Sequence, residues 1–538
     1  MFAPLAAAAV ALAATVTPAA PIAKTAPPVV RAAPSVPDWS LKTEMNVAAR
    51  GTMAITDAQE VGRPLAADNT RLPGFTTMEQ RLRAGGEIHW ERRAAELNSV
   101  RLRVQVDAFN GPSQRKVGAV ERKAPQPGGA GLDPDTALAV DPIHKRDTGW
   151  NADDKHLLRR FDVEFATRWG RLLAGRTVST WGLGLLAQGG QDEDLQFGFK
   201  RRGVIVDRVQ ATLIPAAIPG DGSWAAAFPI ALVLAADHVV EDDLARAADG
   251  DDAENLIAAL FVKHLQWEFG LYGVRRTQID RRGLTINAWV SDIYGRAFER
   301  FGKWQVELAG EFLSITGDTT YFRTAYNPDK LKIDQFGGVL RLTVKRKTFA
   351  IRVEGGVASG DQDPFDDTVR NFKFAADYRV GLVLFSDVMR RATANTAANL
   401  TDPRFAGQPP AGYERLASGG AVTQAIYIHP VARVGPWHGL AAQVGWLFAQ
   451  APAPLVDPYF SSLKGGEAIG PNGGTASTDL GSEIDAAVWY ELDAGPVRAM
   501  ARVDWGSATL GKAFADRDGK VGPDVSTVLG QLLVRGTW

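Results

Sequence analysis

The 538-residue chain has no cysteine, which excludes a disulfide framework, thiolate metal sites and cysteine nucleophiles; such a chain also crosses an oxidising periplasm with nothing to mispair. No segment reaches about 18 consecutive apolar residues, so helical membrane spans are excluded. Neither sign of charge is in excess: the net charge is −1 with 22% charged residues, and nothing points to nucleic acid. Histidine is scarce. The seven present (His89, His144, His156, His238, His264, His429 and His438) show no catalytic or metal-binding spacing, and hydrolysis needs an oriented base beside its nucleophile. The chain is therefore expected not to be an enzyme. After about residue 40 no shift in composition divides the chain, and the 55 Gly and 30 Pro are spread as turn formers, so one large repetitive β-architecture is expected.

Basic residues are also missing from Met1–Pro4, where a secretory signal usually carries them. The Ala/Leu/Val run Leu5–Ala14 and the small residues after it still read as a signal peptide, over about residues 1–20. A misplaced start codon would explain the missing charge. The prolines between Pro18 and Pro37 stiffen a linker over 21–40, either a spacer or a tether to a periplasmic partner.

What is present is alternation. Val100, Leu102, Val104, Val106 and Ala108 are apolar, while Arg101, Arg103, Gln105 and Asp107 between them are polar. The same split sets Phe161, Val163 and Phe165 against Arg160, Asp162, Glu164 and Arg168, and Trp304, Val306, Leu308 and Phe312 against Glu307 and Glu311. It returns at Ile484, Val488 and Tyr490 against Asp485 and Glu491, and at Val497, Val503 and Trp505 against Arg498, Arg502 and Asp504. Period two with one clean apolar face, over strands of about ten residues, fits tilted membrane-spanning strands better than soluble ones of five or six. At the end of the chain Val528, Gly530, Leu532, Val534, Gly536 and Trp538 form an apolar face that stops on an aromatic, which marks a barrel-closing strand.

Connections alternate short (Gly170; 268–270; 345–347; 493–495) and long (about 111–156, 183–202, 239–254, 315–332, 452–480, 508–524), as in outer-membrane barrels. Some 19 candidate strands violate the even count that such a barrel needs, and the conflict lies at Phe374–Phe385. Removing it leaves about 18 strands (range 16–20) and makes 359–422 one long excursion from the outer rim, part of it folding back into the pore. The fold expected is all-β, an antiparallel up-and-down transmembrane barrel over 41–538.

Several motifs in order, Arg101–Asn110, Trp181-Gly-Leu-Gly-Leu-Leu186, Val206–Val209, Gly270–Gln278 and Gly356–Asp361 with Asn371–Val380, resemble an uncharacterised outer-membrane barrel family of myxobacterial type, distantly similar to alginate-export porins. The resemblance implies an 18-stranded monomeric barrel in a Gram-negative outer membrane, and no catalytic residues. Polyanion export fits poorly, because the expected lumen charges cancel: Arg101, Arg103, Arg160, Arg168, Arg341, Arg352, Arg498 and Arg502 face Asp162, Glu164, Glu307, Glu311, Glu354, Asp485 and Asp504. Cross-strand salt-bridge ladders around a wet lumen are expected instead.

Two loops remain. Asp361, Asp363, Asp366 and Asp367 are oxygen-rich enough for Ca²⁺ but lack EF-hand spacing, so a solvated acidic loop competes with a cation site. The Trp181-Gly-Leu-Gly turn has no third glycine or helix to make it a dinucleotide motif, and its glycines let the chain bend or pass close to the wall. The function expected is a porin-like channel for small polar solutes with no cofactor. A polysaccharide export conduit and a structural or scaffold barrel are the alternatives, and a plugged lumen would favour the scaffold. Expected partners are outer-membrane lipid and lipopolysaccharide, the barrel-assembly machinery during insertion, and a periplasmic protein on 18–37.

Overall fold

The computed structural model describes residues 39–61, 70–72, 74–92, 97–117, 156–200, 203–214, 230–323, 329–401 and 412–538. The expected signal and linker, and most of the 111–156 loop, lie outside the described residues.

Eighteen antiparallel strands close into a barrel: β1 Trp39–Thr56, β2 Phe75–Arg92, β3 Leu97–Val117, β4 His156–Thr167, β5 Gly170–Ser179, β6 Val204–Leu213, β7 Ile230–Glu241, β8 Asp252–Lys263, β9 Trp267–Ile279, β10 Thr285–Phe301, β11 Trp304–Thr319, β12 Leu331–Arg346, β13 Phe349–Ala358, β14 Ala425–Trp437, β15 Leu440–Gln450, β16 Asp479–Ala494, β17 Val497–Leu510 and β18 Val525–Thr537. Each strand pairs with its sequence neighbours, and β18 returns to β1 in register from Asn46↔Thr537 to Thr56↔Thr527. Trp538 completes the seam: its backbone exchanges two 2.9 Å hydrogen bonds with Met45. Among the described residues the barrel sheet has no open edge, as a span through hydrocarbon requires.

Alternation puts one face outward. Val528, Leu532, Val534 and Trp538 are 42, 58, 39 and 55% exposed, whereas Leu529 and Leu533 between them are nearly buried. The outward face carries Leu234, Leu256, Phe312, Leu340, Trp446 and Val488 in the same way. Outward cation–aromatic pairs lie near the two rims, Arg275 over Trp289 and Arg346 over Trp304, at 5.6 and 5.3 Å. Apolar surface between such pairs is the profile of a lipid-facing wall.

One rim carries the turns 168–169, 264–266, 302–303, 347–348, 438–439 and 495–496; the other carries the long connections 180–203, 242–251, 320–330, 359–424, 451–478 and 511–524. Residues 268–270, expected as a turn, are inside β9. His264 instead bonds Trp267 across the turn, at 2.8 Å.

Residues 374–385 form no span. The 359–424 connection folds into the lumen as a plug, adding two residues in parallel to β12 at Thr368–Val369, then a π-helix Leu384–Met389 and helix α1, Arg390–Thr401. Phe372, Phe374, Tyr378, Val383, Leu384, Phe385, Val388 and Met389 are all at most 2% exposed. The facing wall is shaped for them. Its inward positions include Val339, Ala350, Val431, Ala441, Leu447, Ala449, Trp489 and Ala508, and the Phe372 ring packs so close to Gly337 that a Cβ there would lie 2.3 Å from it. Salt-bridge ladders around a wet lumen were expected, with part of 359–422 folding back into the pore; the half of the lumen lined by β12–β18 holds a contiguous apolar core. Each large apolar side chain buried there contributes about 1.5–3 kcal/mol. The Glu483 carboxylate on β16 anchors the start of the plug helix, accepting from the N–H groups of Leu382, Val383 and Leu384 at 2.5, 2.7 and 2.7 Å. Those donors have no partner within the helix, and an anion suits its N-terminus.

Candidate functional site

Interior arginines pair with carboxylates directly opposite them on the next strand: Arg83 with Asp107 (2.6 and 2.8 Å), Arg103 with Asp162 (2.7 Å), Arg208 with Asp237 (2.6 and 2.7 Å) and Arg341 with Glu354 (2.8 Å). Arg101 adds Glu87 at 2.9 Å, Arg160 reaches Asp162 at 3.1 Å, Arg103 also reaches Glu164, and Arg296 pairs with Glu307 at 2.6 Å. Arg502 chelates Asp504, and Asp485 lies fully buried 3.8 Å from His429. Two residues of the expected set stand apart. Arg498 is at the turn rim in an exposed pair with Asp493, and Arg168 lies in the 168–169 turn, stacked 4.3 Å over Trp169.

In β4 the register slips so that Arg159 is an extra, bulged residue, and both Arg159 and Arg160 turn away from lipid. Arg159 donates to Gln105 and to the Gly189 carbonyl, at 3.2 and 3.0 Å. The signal was available: Leu158 and Phe161 both face outward, three residues apart instead of two.

The 180–203 connection also enters the lumen. Its neck is closed where the Val204 N–H donates to the Gln188 carbonyl at 2.8 Å. Beyond the neck, Asp192, Glu193 and Asp194 meet basic residues of the wall: Arg50 and Arg535 at Asp192 (2.5 and 3.5 Å), Arg341 at Glu193 (3.0 Å), and Lys345 with Arg433 at Asp194. Arg352 donates to the Asp194 and Leu195 carbonyls, and Gln443 and Arg502 both donate to that of Gln196. Burial works against the charge of Glu193, but Arg341 and Lys200 hold its carboxyl below the usual carboxylate range. Leu195 takes a positive φ of 59°, a conformation that side-chain-bearing residues adopt only when surroundings enforce it. This strap crosses to β1 and β12–β18.

The other end of the same connection meets the opposite wall. Trp181 stacks on Tyr272 of β9 (centroids 4.6 Å apart), edges against Phe261 of β8 (6.3 Å) and donates its indole N–H to Asp292 of β10 at 3.0 Å. The Leu183 N–H donates to Glu311 of β11, and Gly182, at φ +54°, passes the wall so closely that a Cβ would lie 2.5 Å from the Glu311 carboxylate. Gly182 thus passes close to the wall, while Gly184, at φ +90° and against Gln188 of the same connection, serves the bend; the sequence suggested these two uses.

Two chambers with charged side chains in their linings lie along this wall, and Trp181 contacts one lining residue of each, Tyr272 and Phe261. Toward the long-loop rim is a cavity of about 830 Å³ that includes Tyr272 and Val274 and carries seven acidic and six basic side chains. Within it Arg276 pairs with Asp242 (2.6 Å), and Arg282 bridges Asp280 and Glu414. Burial disfavours the charge on Asp242, yet Arg276 and the N–H groups of Leu244 and Ala245 keep its carboxyl below the ordinary range. Toward the turn rim is a second cavity of about 410 Å³, lined by Glu164, Arg171, Gln210, Thr212, Phe261 and Lys263.

In the acidic loop the carboxylates diverge. Asp361 accepts from the N–H groups of Asp363 and Arg370, Asp366 pairs with Arg370 at 2.6 Å, Asp363 accepts from the Phe365 N–H, and Asp367 pairs with Lys332 at 2.9 Å. Among the described residues no three His, Cys, Asp or Glu side chains converge to hold a metal ion.

No protein-family model and no curated protein matches the chain. Solved structures similar to it include three outer-membrane proteins of Pseudomonas aeruginosa: OccK2 (OpdF) in complex with glucuronate, at 8% identity and TM-score 0.46 over 92% of this chain and 97% of that one; OpdK with vanillate, at 10% and 0.46 over 92% and 99%; and OccK8 (OprE), at 8% and 0.45 over 92% and 98%. No family model carries the finer resemblance drawn from the ordered motifs. The 18-stranded barrel itself stands on the strand pairing.

Proposed function

We propose that this chain is an outer-membrane channel for passive passage of small polar solutes, seen here in a closed state. The observation that carries the proposal is the pair of chambers with charged side chains in their linings along the β4–β12 wall, inside a barrel whose outer face is apolar. The near balance of charge in the larger chamber, and the ion pairs along the wall, favour weak ion selectivity over a focused potential for one sign. A polyanion conduit would need uncompensated basic residues along its path. Here the wall arginines are matched across strands or by the strap.

Single-channel recording of the refolded chain in a planar bilayer, with reversal potential under a salt gradient, tests this. Discrete steps with a reversal potential near zero are expected. A folded, inserted barrel that stays silent at every voltage and salt concentration would sink the channel proposal and leave the scaffold alternative, which the dry half of the lumen would suit.

A further inference from the structure

We propose that Trp181 is the residue that sets what passes between the two chambers, a shutter docked on the β8–β11 wall. This deepens the channel proposal and rests on it. Along β9 the inward residues run from Glu268 near the turn rim through Gly270, Tyr272 and Val274 to Arg276 near the loop rim. Tyr272 and Val274 line the larger chamber, and Phe261, opposite Gly270 on β8, lines the smaller. The Trp181 indole contacts Tyr272 and Phe261 and lies over Gly270, where a Cβ would be 2.7 Å from its ring. It therefore fills the level at which one chamber gives way to the other.

Its attachment is of the kind that can be undone. The indole is held by one ring stack on Tyr272, an edge contact with Phe261, one N–H to Asp292 and the neighbouring Leu183 N–H on Glu311, and among the described residues it belongs to no buried apolar cluster. At Gly270 the wall beneath it has no side chain, and none of these contacts is a strand-pairing bond, so the docked ring can leave without breaking a strand. Contrast the plug aromatics: Phe372, Phe374 and Phe385 are at most 2% exposed inside one contiguous core. Trp181 is the partition with the smaller barrier to movement. The bulk of an indole would pass only solutes small enough to slip by or polar enough to compete for Asp292 and Glu311.

The test uses the full chain in parent form and as W181A, W181F and G270V. G270V leaves Trp181 intact but removes the space its ring occupies. Two readouts are taken: bilayer conductance, and the rate at which the single thiol of T212C, in the smaller chamber, reacts with a bulky impermeant maleimide from the long-loop side. The maleimide assay is run in liposomes with quencher inside. W181A and G270V are expected to raise both by about tenfold, the upper range for losing one aromatic stack, with W181F near the parent. If both variants leave the thiol as slow as in the parent, the shutter is overturned. If labelling rises and conductance does not, the shutter stands and the channel proposal fails. Equal conductance for parent and W181A, with labelling already fast in the parent, would also overturn the shutter.

Discussion

The Asp457 side chain joins two elements near the long-loop rim. One oxygen caps helix α2, Pro458–Leu463, accepting from the Phe460 N–H at 2.9 Å, and the other accepts from the Thr396 hydroxyl on plug helix α1. Burial pushes this carboxyl up to about 6, against the opposing pull of those hydrogen bonds. The folded value lies above the ordinary one near 3.9, so the packed loop retains a proton that the opened loop releases. Stability from the junction is complete below about pH 4 and falls by about 3 kcal/mol as the pH rises to about 6. Hydrogen exchange at the Phe460 and Ser461 N–H groups should therefore quicken across that window, and D457N should flatten the profile. An unchanged slope in D457N would assign the effect elsewhere. Nothing in the sequence distinguishes Asp457 from other loop aspartates; its role comes from what a distant helix places beside it.

Among elements, the plug and the strap are held by different forces. The plug rests on apolar burial and on Glu483, whereas the strap at 192–194 rests on ion pairs that are only partly buried, Asp194 being 41% exposed at its side chain. Exposed pairs are individually weak, about 0.2–1 kcal/mol, so the strap depends on their number. The Debye length shrinks to about 3 Å in 1 M salt, which leaves the plug's core untouched. A thiol at strap position 195 (L195C) should label faster in 1 M salt and in a D192N/E193Q/D194N background, while one at plug position 388 (V388C) should respond to neither. If both sites respond alike, strap and plug move as one body. The sequence held part of this distinction. Leu440–Gln450 has two Gln and no charge, so both its faces are apolar, which is how a strand covered on both sides reads. The strap was not legible, because an acidic tripeptide in a loop looks the same whether it faces water or five cations of the wall.

For the whole molecule, closure concentrates on the β1–β18 seam. Trp538 adds two backbone hydrogen bonds to Met45 and leaves its indole more than half exposed on the outer face, folded over Gly536. Two such bonds are worth about 1–3 kcal/mol together, and an indole at the membrane interface adds anchoring. Deleting Trp538 should lower the denaturation midpoint of the refolded barrel in detergent without changing its strand content. A midpoint equal to the parent's would show that β18 closes the seam unaided.

The barrel, its strand number and its lipid face were determined by the sequence alone, because period-two alternation and the short–long rhythm of connections are local signals repeated eighteen times. Parity even removed the false span at 374–385 and made 359–422 one excursion from the outer rim, part of it folding back into the pore. What only the tertiary structure decided is which loop fills which half of the lumen. That outcome depends on Gly337 and Gly270 leaving room for aromatic rings, and on cations from four strands, β1, β12, β14 and β18, meeting three carboxylates of one loop. Each is a contact between residues remote in the chain, and no local pattern encodes it.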